Sequence, residues 1–119
     1  MTIRECYAIL GGDYQDAMSR LMKEERVTKY LLKFPSDPSM QVLRDAVKEK
    51  NRKDSFSAAH TLKGLAANLG FTALQKAASD LTEQLRSQQE DPDMSLFAAV
   101  ESAYDNVISA IGVFQASNI

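Results

Sequence analysis

The sequence predicts an all-α protein: an antiparallel four-helix bundle with short additional helices at its N-terminus. Two observations carry that expectation. Apolar residues recur along the chain at intervals of three and four rather than two, the spacing of a helix with one buried face. Gly11-Gly12, Pro35, Pro38, Gly70 and Pro92 cut the chain into helix-length segments joined by short connections, and short connections favour antiparallel neighbours. The 119 residues suit one domain at roughly 100–200 residues per domain. Short helices are expected over about residues 1–36 and the bundle core over about 37–117.

Each element has a local justification. Thr2 is placed to cap a short helix from Ile3 to Leu10. Asp13 is placed to cap a second, with Tyr14, Met18, Leu21 and Met22 inward. Val27, Tyr30, Leu31 and Phe34 form a third apolar face. At about 100° per residue this face points roughly opposite to the preceding one, which predicts a break near Lys23–Glu25. After Pro38 a fourth helix has Asp37 or Ser39 as its cap and Val42, Leu43, Ala46 and Val47 inward. A fifth runs from about Asp54 to Leu69, with Ala59, Leu62, Ala66 and Leu69 on one face and Gly70 ending it in a left-handed cap. A sixth buries Leu74, Ala77, Ala78, Leu81 and Leu85. The last starts at an Asp93 cap and carries one stripe of Leu96, Phe97, Val100, Tyr104, Val107, Ile108, Ile111 and Phe114.

Composition removes several classes of function. The chain is 45% hydrophobic and 25% charged, with fourteen basic and sixteen acidic side chains and a formal charge of −2. Such a balance gives no electrostatic footprint for nucleic acid. The single cysteine, Cys6, excludes an internal disulfide and reads as a small buried apolar residue. No apolar run approaches the ~20 residues of a membrane span, and the N-terminus MTIRECYAIL lacks the pattern of a signal peptide. The default expectation is a cytoplasmic protein. One histidine excludes a metal site needing two histidine ligands, including the paired Glu-x-x-His di-iron pattern. The glycines match no phosphate-binding loop. The run Lys48-Glu49-Lys50-Asn51-Arg52-Lys53 reads as a solvated helix end, with a minority reading as an attraction for an acidic partner. The five methionines read as core filler.

The histidine, His60, is the residue that asks for a function. On its helix it lies about 150° from the core direction set by Ala59, Leu62, Ala66 and Leu69, so it faces outward. Phe56 stands one turn before it, and Lys63, Gly64 and Ala67 follow on the same side. Gly64 costs roughly 1 kcal/mol against alanine within a helix, and what it offers in return is clear space beside the imidazole. Lys63 brings an ammonium near anything attached to the ring. These are the requirements of an anionic group carried on a ring nitrogen. Each residue also has an ordinary explanation: a solvated histidine, a glycine admitting a neighbouring helix, a lysine there by coincidence. Periodicity alone leaves both readings open.

The stretch AAHTLKGLAANLGF, Ala58 to Phe71, resembles the signature of histidine-containing phosphotransfer (HPt) domains, through His60, Lys63, Gly64, Ala66, Ala67, Leu69 and Gly70. The preceding VKEKNRKD and the Gly11-Gly12-Asp13 triplet are similar to the family as well. The resemblance implies a phosphorelay protein of two-component signal transduction. In it His60 accepts a phosphoryl group on Nε2 from a receiver-domain aspartyl phosphate or a kinase and passes it on. Lys63 offsets phosphoryl charge, Gly64 gives steric clearance, and Phe56 and Ala67 form the docking platform. Many family members place a glutamine on the following helix; alignment through Gly70 puts Thr82 there, a half-exposed residue whose support of the site is in doubt.

The implied protein is a covalent carrier rather than an enzyme, a monomer without cofactor of its own, whose receiver partner supplies Mg²⁺. Its partners are a response-regulator receiver domain and a hybrid histidine kinase, with no nucleic acid and no membrane. Three alternatives stand beside it: a detached phosphoacceptor module of a chemotaxis-type kinase, a non-catalytic helical adaptor that sequesters a receiver, and a dimerisation-and-phosphoacceptor domain of a histidine kinase. The last expects an acidic residue directly after the histidine, where this chain has Thr61.

Overall fold

The structure, a computed structural model, describes residues 1–117; the last two residues of the expected domain lie outside the described residues. Seven α-helices follow one another: α1 (Ile3–Leu10), α2 (Tyr14–Leu21), α3 (Glu24–Lys33), α4 (Ser39–Lys48), α5 (Arg52–Asn68), α6 (Thr72–Leu85) and α7 (Met94–Ser117). A single 3₁₀ turn, Phe34–Ser36, joins α3 to α4, and no strand occurs among the described residues. Consecutive helices from α4 to α7 pack on one another, and α1 returns to pack on α7.

Caps set the helix boundaries. Thr2 Oγ1 accepts from the Glu5 amide while Glu5 accepts from the Thr2 amide, a reciprocal box that starts α1. Asp13 caps α2 through the Asp16 amide. Met22 turns left-handed at φ 74° and separates α2 from α3, so the break falls where the opposed apolar faces require it. Asp37 accepts from the Ser39 amide at the start of α4, and Asp93 accepts from the Ser95 and Leu96 amides at the start of α7. The start of α5 differs from expectation. Asn51 provides the cap by accepting from the Asp54 amide at 2.9 Å, so α5 begins at Arg52, two residues before Asp54. The basic run is therefore split between the end of α4 and the first turn of α5. Cations are disfavoured at a helix N-terminus, and Arg52 is compensated there by Asp91 at 3.1 Å.

One hydrophobic core draws residues from Ile3 to Phe114, so the N-terminal helices build the core together with α4–α7. Three apolar positions expected inward face solvent: Met22, Tyr30 and Val42. Ala17, Leu31 and Met40 take the interior places beside them. Helix α7 is, among the described residues, long and apolar enough by length and composition to cross a membrane, with a mean hydropathy of 1.2 in its most apolar window. This differs from the sequence expectation. Here its apolar stripe packs on α6 and α1, and Arg44 of α4 bridges to its Glu101 and Asp105. Cys6 is fully buried, its thiol donates to the Ala110 carbonyl oxygen, and burial pushes its pKa up to about 11.

Two tight turns are bonded together at one end of the molecule. The amide of Asp13 donates to the Gly70 carbonyl at 2.8 Å, and the amide of Ala73 donates to the Gly11 carbonyl at 2.9 Å. The buried Tyr7 hydroxyl donates to the Leu69 carbonyl at 2.7 Å. Gly70 itself ends α5 at φ 68°, with the Phe71 amide bonded to the Ala66 carbonyl and the Gly70 amide to that of Ala67, which is a Schellman arrangement. Phe71 then enters an aromatic cluster with Tyr7 and Phe34, at ring-centroid distances of 5.8 and 5.1 Å.

A Cβ on Gly70 would lie 2.6 Å from the Asp13 carbonyl oxygen, in a backbone conformation that side chains rarely adopt. Gly70→Ala is expected to destabilise the fold by about 2 kcal/mol or more. The check is a lower urea midpoint with an unchanged slope.

Candidate functional site

Helix α5 positions the site. Its interior face is lined by Ser55, Ala58, Ala59, Leu62 and Ala66, mostly small, which lets α4 and α6 pack on it closely. The opposite face is left to solvent, and His60 is exposed there. Phe56 stacks on the imidazole, ring centroids 6.2 Å apart and planes 18° from parallel. Gly64 is exposed, and a Cβ built on it meets no atom within 4 Å. Of the two explanations for this glycine, close packing against a neighbouring helix is excluded, because no helix approaches. Lys63 and Ala67 are half-buried beside it.

Phe56 is half-buried and rests on the core as well as on His60, so it is not the freely exposed aromatic that the sequence suggested. Thr82 departs further from expectation. It is completely buried on the core side of α6, and its hydroxyl donates to the Ala78 carbonyl one turn back at 2.7 Å. It shares that face with Leu74, Ala78, Leu81 and Leu85. Its one donor is consumed by its own helix, and it offers nothing to His60.

Two residues that the sequence did not single out, Glu83 of α6 and Arg86 at its C-cap, complete the surroundings. The Arg86 guanidinium lies 5.8 Å from the Phe56 ring centroid, so Arg86, Phe56 and His60 form one stack across two helices. Arg86 also donates to both carboxylate oxygens of Glu83, at 3.0 and 2.6 Å. The bidentate bond from Arg86, foremost, and then the charges of Arg86 and Lys63 hold the Glu83 carboxyl below its ordinary range. The signal was available: counting outward from Gly70 in both directions brings Phe56 and Arg86 to about the same level of the α5–α6 hairpin.

The surface around His60 differs from a small-molecule site. Among the described residues, one groove of about 400 Å³ lies between α4 and α5 and another of about 450 Å³ among α2, α3 and the end of α5. His60 lines neither. Among the described residues no group of three or more His, Cys, Asp or Glu side chains is placed to hold a metal ion. An open histidine with a cleared flank is suited to contact with a second macromolecule, since small ligands take concave sites.

An all-helical protein with a protruding histidine at the middle of an interior-packed helix belongs to a narrow class. A family model for the Hpt domain matches residues 36–110, which include α4, α5, α6 and most of α7. The chain belongs to the Hpt domain family, the phosphocarrier modules of two-component signalling. Comparison with curated proteins and with solved structures yields no match.

Because Gly64 faces open space, Gly64→Ala is expected to leave stability unchanged or to raise it by up to ~1 kcal/mol, alanine being the better helix former. Thermal unfolding of the two proteins side by side measures this, and a loss of stability would restore a packing role.

Proposed function

We propose that this protein is a histidine phosphotransfer protein of a two-component phosphorelay, with His60 as its phosphoacceptor. The observation that carries the reading is the exposed His60 imidazole beside the empty flank at Gly64, in a chain of this family. In this reading α4–α7 form the antiparallel four-helix bundle, which the packing of consecutive helices and the Arg44 bridges from α4 to α7 support.

The imidazole attacks through the lone pair of its unprotonated Nε2. The Nε2–P bond forms as the O–P bond of a receiver's aspartyl phosphate breaks. The electron pair of that bond stays on the aspartate, and the ring keeps its Nδ1 proton. The reverse sequence hands the group to another receiver. Lys63 offsets charge on the phosphoryl oxygens, as cations do in other phosphoryl transfers. Gly64 leaves room for the partner's reacting loop, and Phe56 and Ala67 supply a low apolar platform beneath it. The receiver brings Mg²⁺ and the acidic side chains that hold it. The protein acts as a cytoplasmic monomer whose partners are receiver domains and a hybrid kinase.

The test is transfer from receivers loaded with acetyl phosphate, following acid-labile label on the purified chain. His60→Gln is expected to abolish labelling while changing stability by no more than about 0.5 kcal/mol, as surface substitutions usually do. Gly64→Gln is expected to keep the fold and slow transfer, through bulk in the receiver's path. Lys63→Ala is expected to slow transfer or shorten the life of the phosphohistidine, through a lost cation. Persistent acid-labile label on His60→Gln would refute the assignment, and a receiver that binds the unlabelled wild-type chain without transfer would favour the sequestering adaptor.

A further inference from the structure

Glu83 has no part in the transfer scheme above, yet it is the acidic group that meets the cations around His60. Both of its oxygens accept from Arg86, at 3.0 and 2.6 Å. The same guanidinium sits 5.8 Å from the centroid of Phe56, whose other neighbour in the stack is the His60 ring. From α5, Lys63 contributes its charge to the Glu83 carboxylate. A phosphoryl group on His60 would draw on nearby cations, and Glu83 already holds one of them, Arg86, through both oxygens while lying within the field of Lys63. Its side chain is more than half exposed, so it is free to rotate away or stay.

We propose that Glu83 is the resident counter-anion of the phosphoacceptor site. It engages Arg86 while His60 is free, competes with the phosphoryl group for Arg86 and for the charge of Lys63 once His60 is loaded, and thereby keeps the phosphohistidine short-lived and easily passed on. The proposal rests on the reading of His60 as phosphoacceptor. Its physical basis is the loose transition state of phosphoryl transfer, in which charge moves from the phosphoryl oxygens toward the leaving group. Cations on those oxygens stabilise the loaded state more than the transition state. A carboxylate that occupies the cations removes that stabilisation. In hydrolysis the Nε2–P bond breaks, its electron pair returns to the ring, and a water oxygen bonds to phosphorus.

The test needs no partner. Phosphoramidate loads the histidine directly: the Nε2–P bond forms, the phosphoramidate P–N bond breaks, and ammonia leaves. The half-life of the label is then followed by phosphorus NMR at neutral pH and low salt. Glu83→Gln is expected to lengthen it about three- to tenfold, with the gain shrinking in molar salt because the charges are exposed and screened. Glu83→Asp is expected to stay within about twofold of wild type, since the charge is retained. The Glu83→Gln gain is expected to vanish when Lys63→Gln and Arg86→Gln are also present, there being no cations left to release. A Glu83→Gln half-life equal to or shorter than that of wild type overturns the proposal. So does a Glu83→Asp variant as long-lived as Glu83→Gln, or a gain that survives without the two cations. Failure of the underlying reading looks different: wild type takes no label, or His60→Gln takes as much, and the proposal then falls with it.

Discussion

The bond between the two tight turns, Gly11–Asp13 and Leu69–Phe71, fixes where α5, the helix that carries His60, lies. Backbone hydrogen bonds run both ways across it, from Asp13 to Gly70 and from Ala73 to Gly11. Tyr7 adds a third from inside the core. Tyr7, Leu69 and Gly70 are buried, where an unpaired donor or carbonyl costs about 1–3 kcal/mol, so these bonds hold the turns in one register. The turns can approach so closely because no side chain intervenes. A Cβ on Gly12 would lie 2.8 Å from the Gly70 carbonyl oxygen, and one on Gly70 would lie 2.6 Å from that of Asp13. Since Gly70 is the pivot between α5 and α6, this clasp sets which level of α6 faces His60. The first helix, far from His60 in sequence, thus helps to aim the site.

The interior and the surface of α5 solve opposite problems with the same kind of residue. Inward, alanines at 58, 59 and 66 let neighbouring helices close in. Outward, Gly64 keeps neighbours away from nothing, since a Cβ there would meet no atom. A helix gains from alanine at such a position, so the glycine works against local stability. The sacrifice is intelligible when a second protein must bring a reacting group to the ring.

Much of this was legible in the sequence, because helical period is a local property. His60 could be turned outward from four apolar neighbours on its own helix, and Thr2, Asp13, Asp93 and Gly70 announced their helix ends through short-range hydrogen bonds. What failed were statements that depend on another element. Thr82 was placed by counting from Gly70, which fixes its level but not its azimuth, and it proved to lie on the buried stripe of α6. Val42, Tyr30 and Met22 are apolar and exposed, and apolar type does not guarantee burial. Helix α5 starts at Arg52 rather than at about Asp54 because the Asn51 side chain caps it through the Asp54 amide. Arg86 and Glu83 escaped notice because an i, i+3 ion pair on a surface helix is ordinary. Only the packing of α6 on α5 brings that pair to the Phe56–His60 stack.

That stack also explains why the site can serve a carrier. A site built to hold phosphate would surround it with buried cations and backbone amides. Here Lys63 is half-buried, Arg86 is exposed, and Glu83 is paired with Arg86. Exposed pairs of this kind contribute little, about 0–1 kcal/mol, so the loaded and empty states need differ little in energy on this protein's account. A carrier benefits from that balance. If the loaded form were strongly stabilised the group would not leave, and if it were strongly destabilised the group would not arrive. The orientation of the ring is a separate matter, held by the parallel contact with Phe56, which is anchored in the core. Rigid placement from apolar packing and weak electrostatics from exposed charges are therefore divided between different residues. In the proposed carrier role that division would leave the direction of transfer to the partner protein.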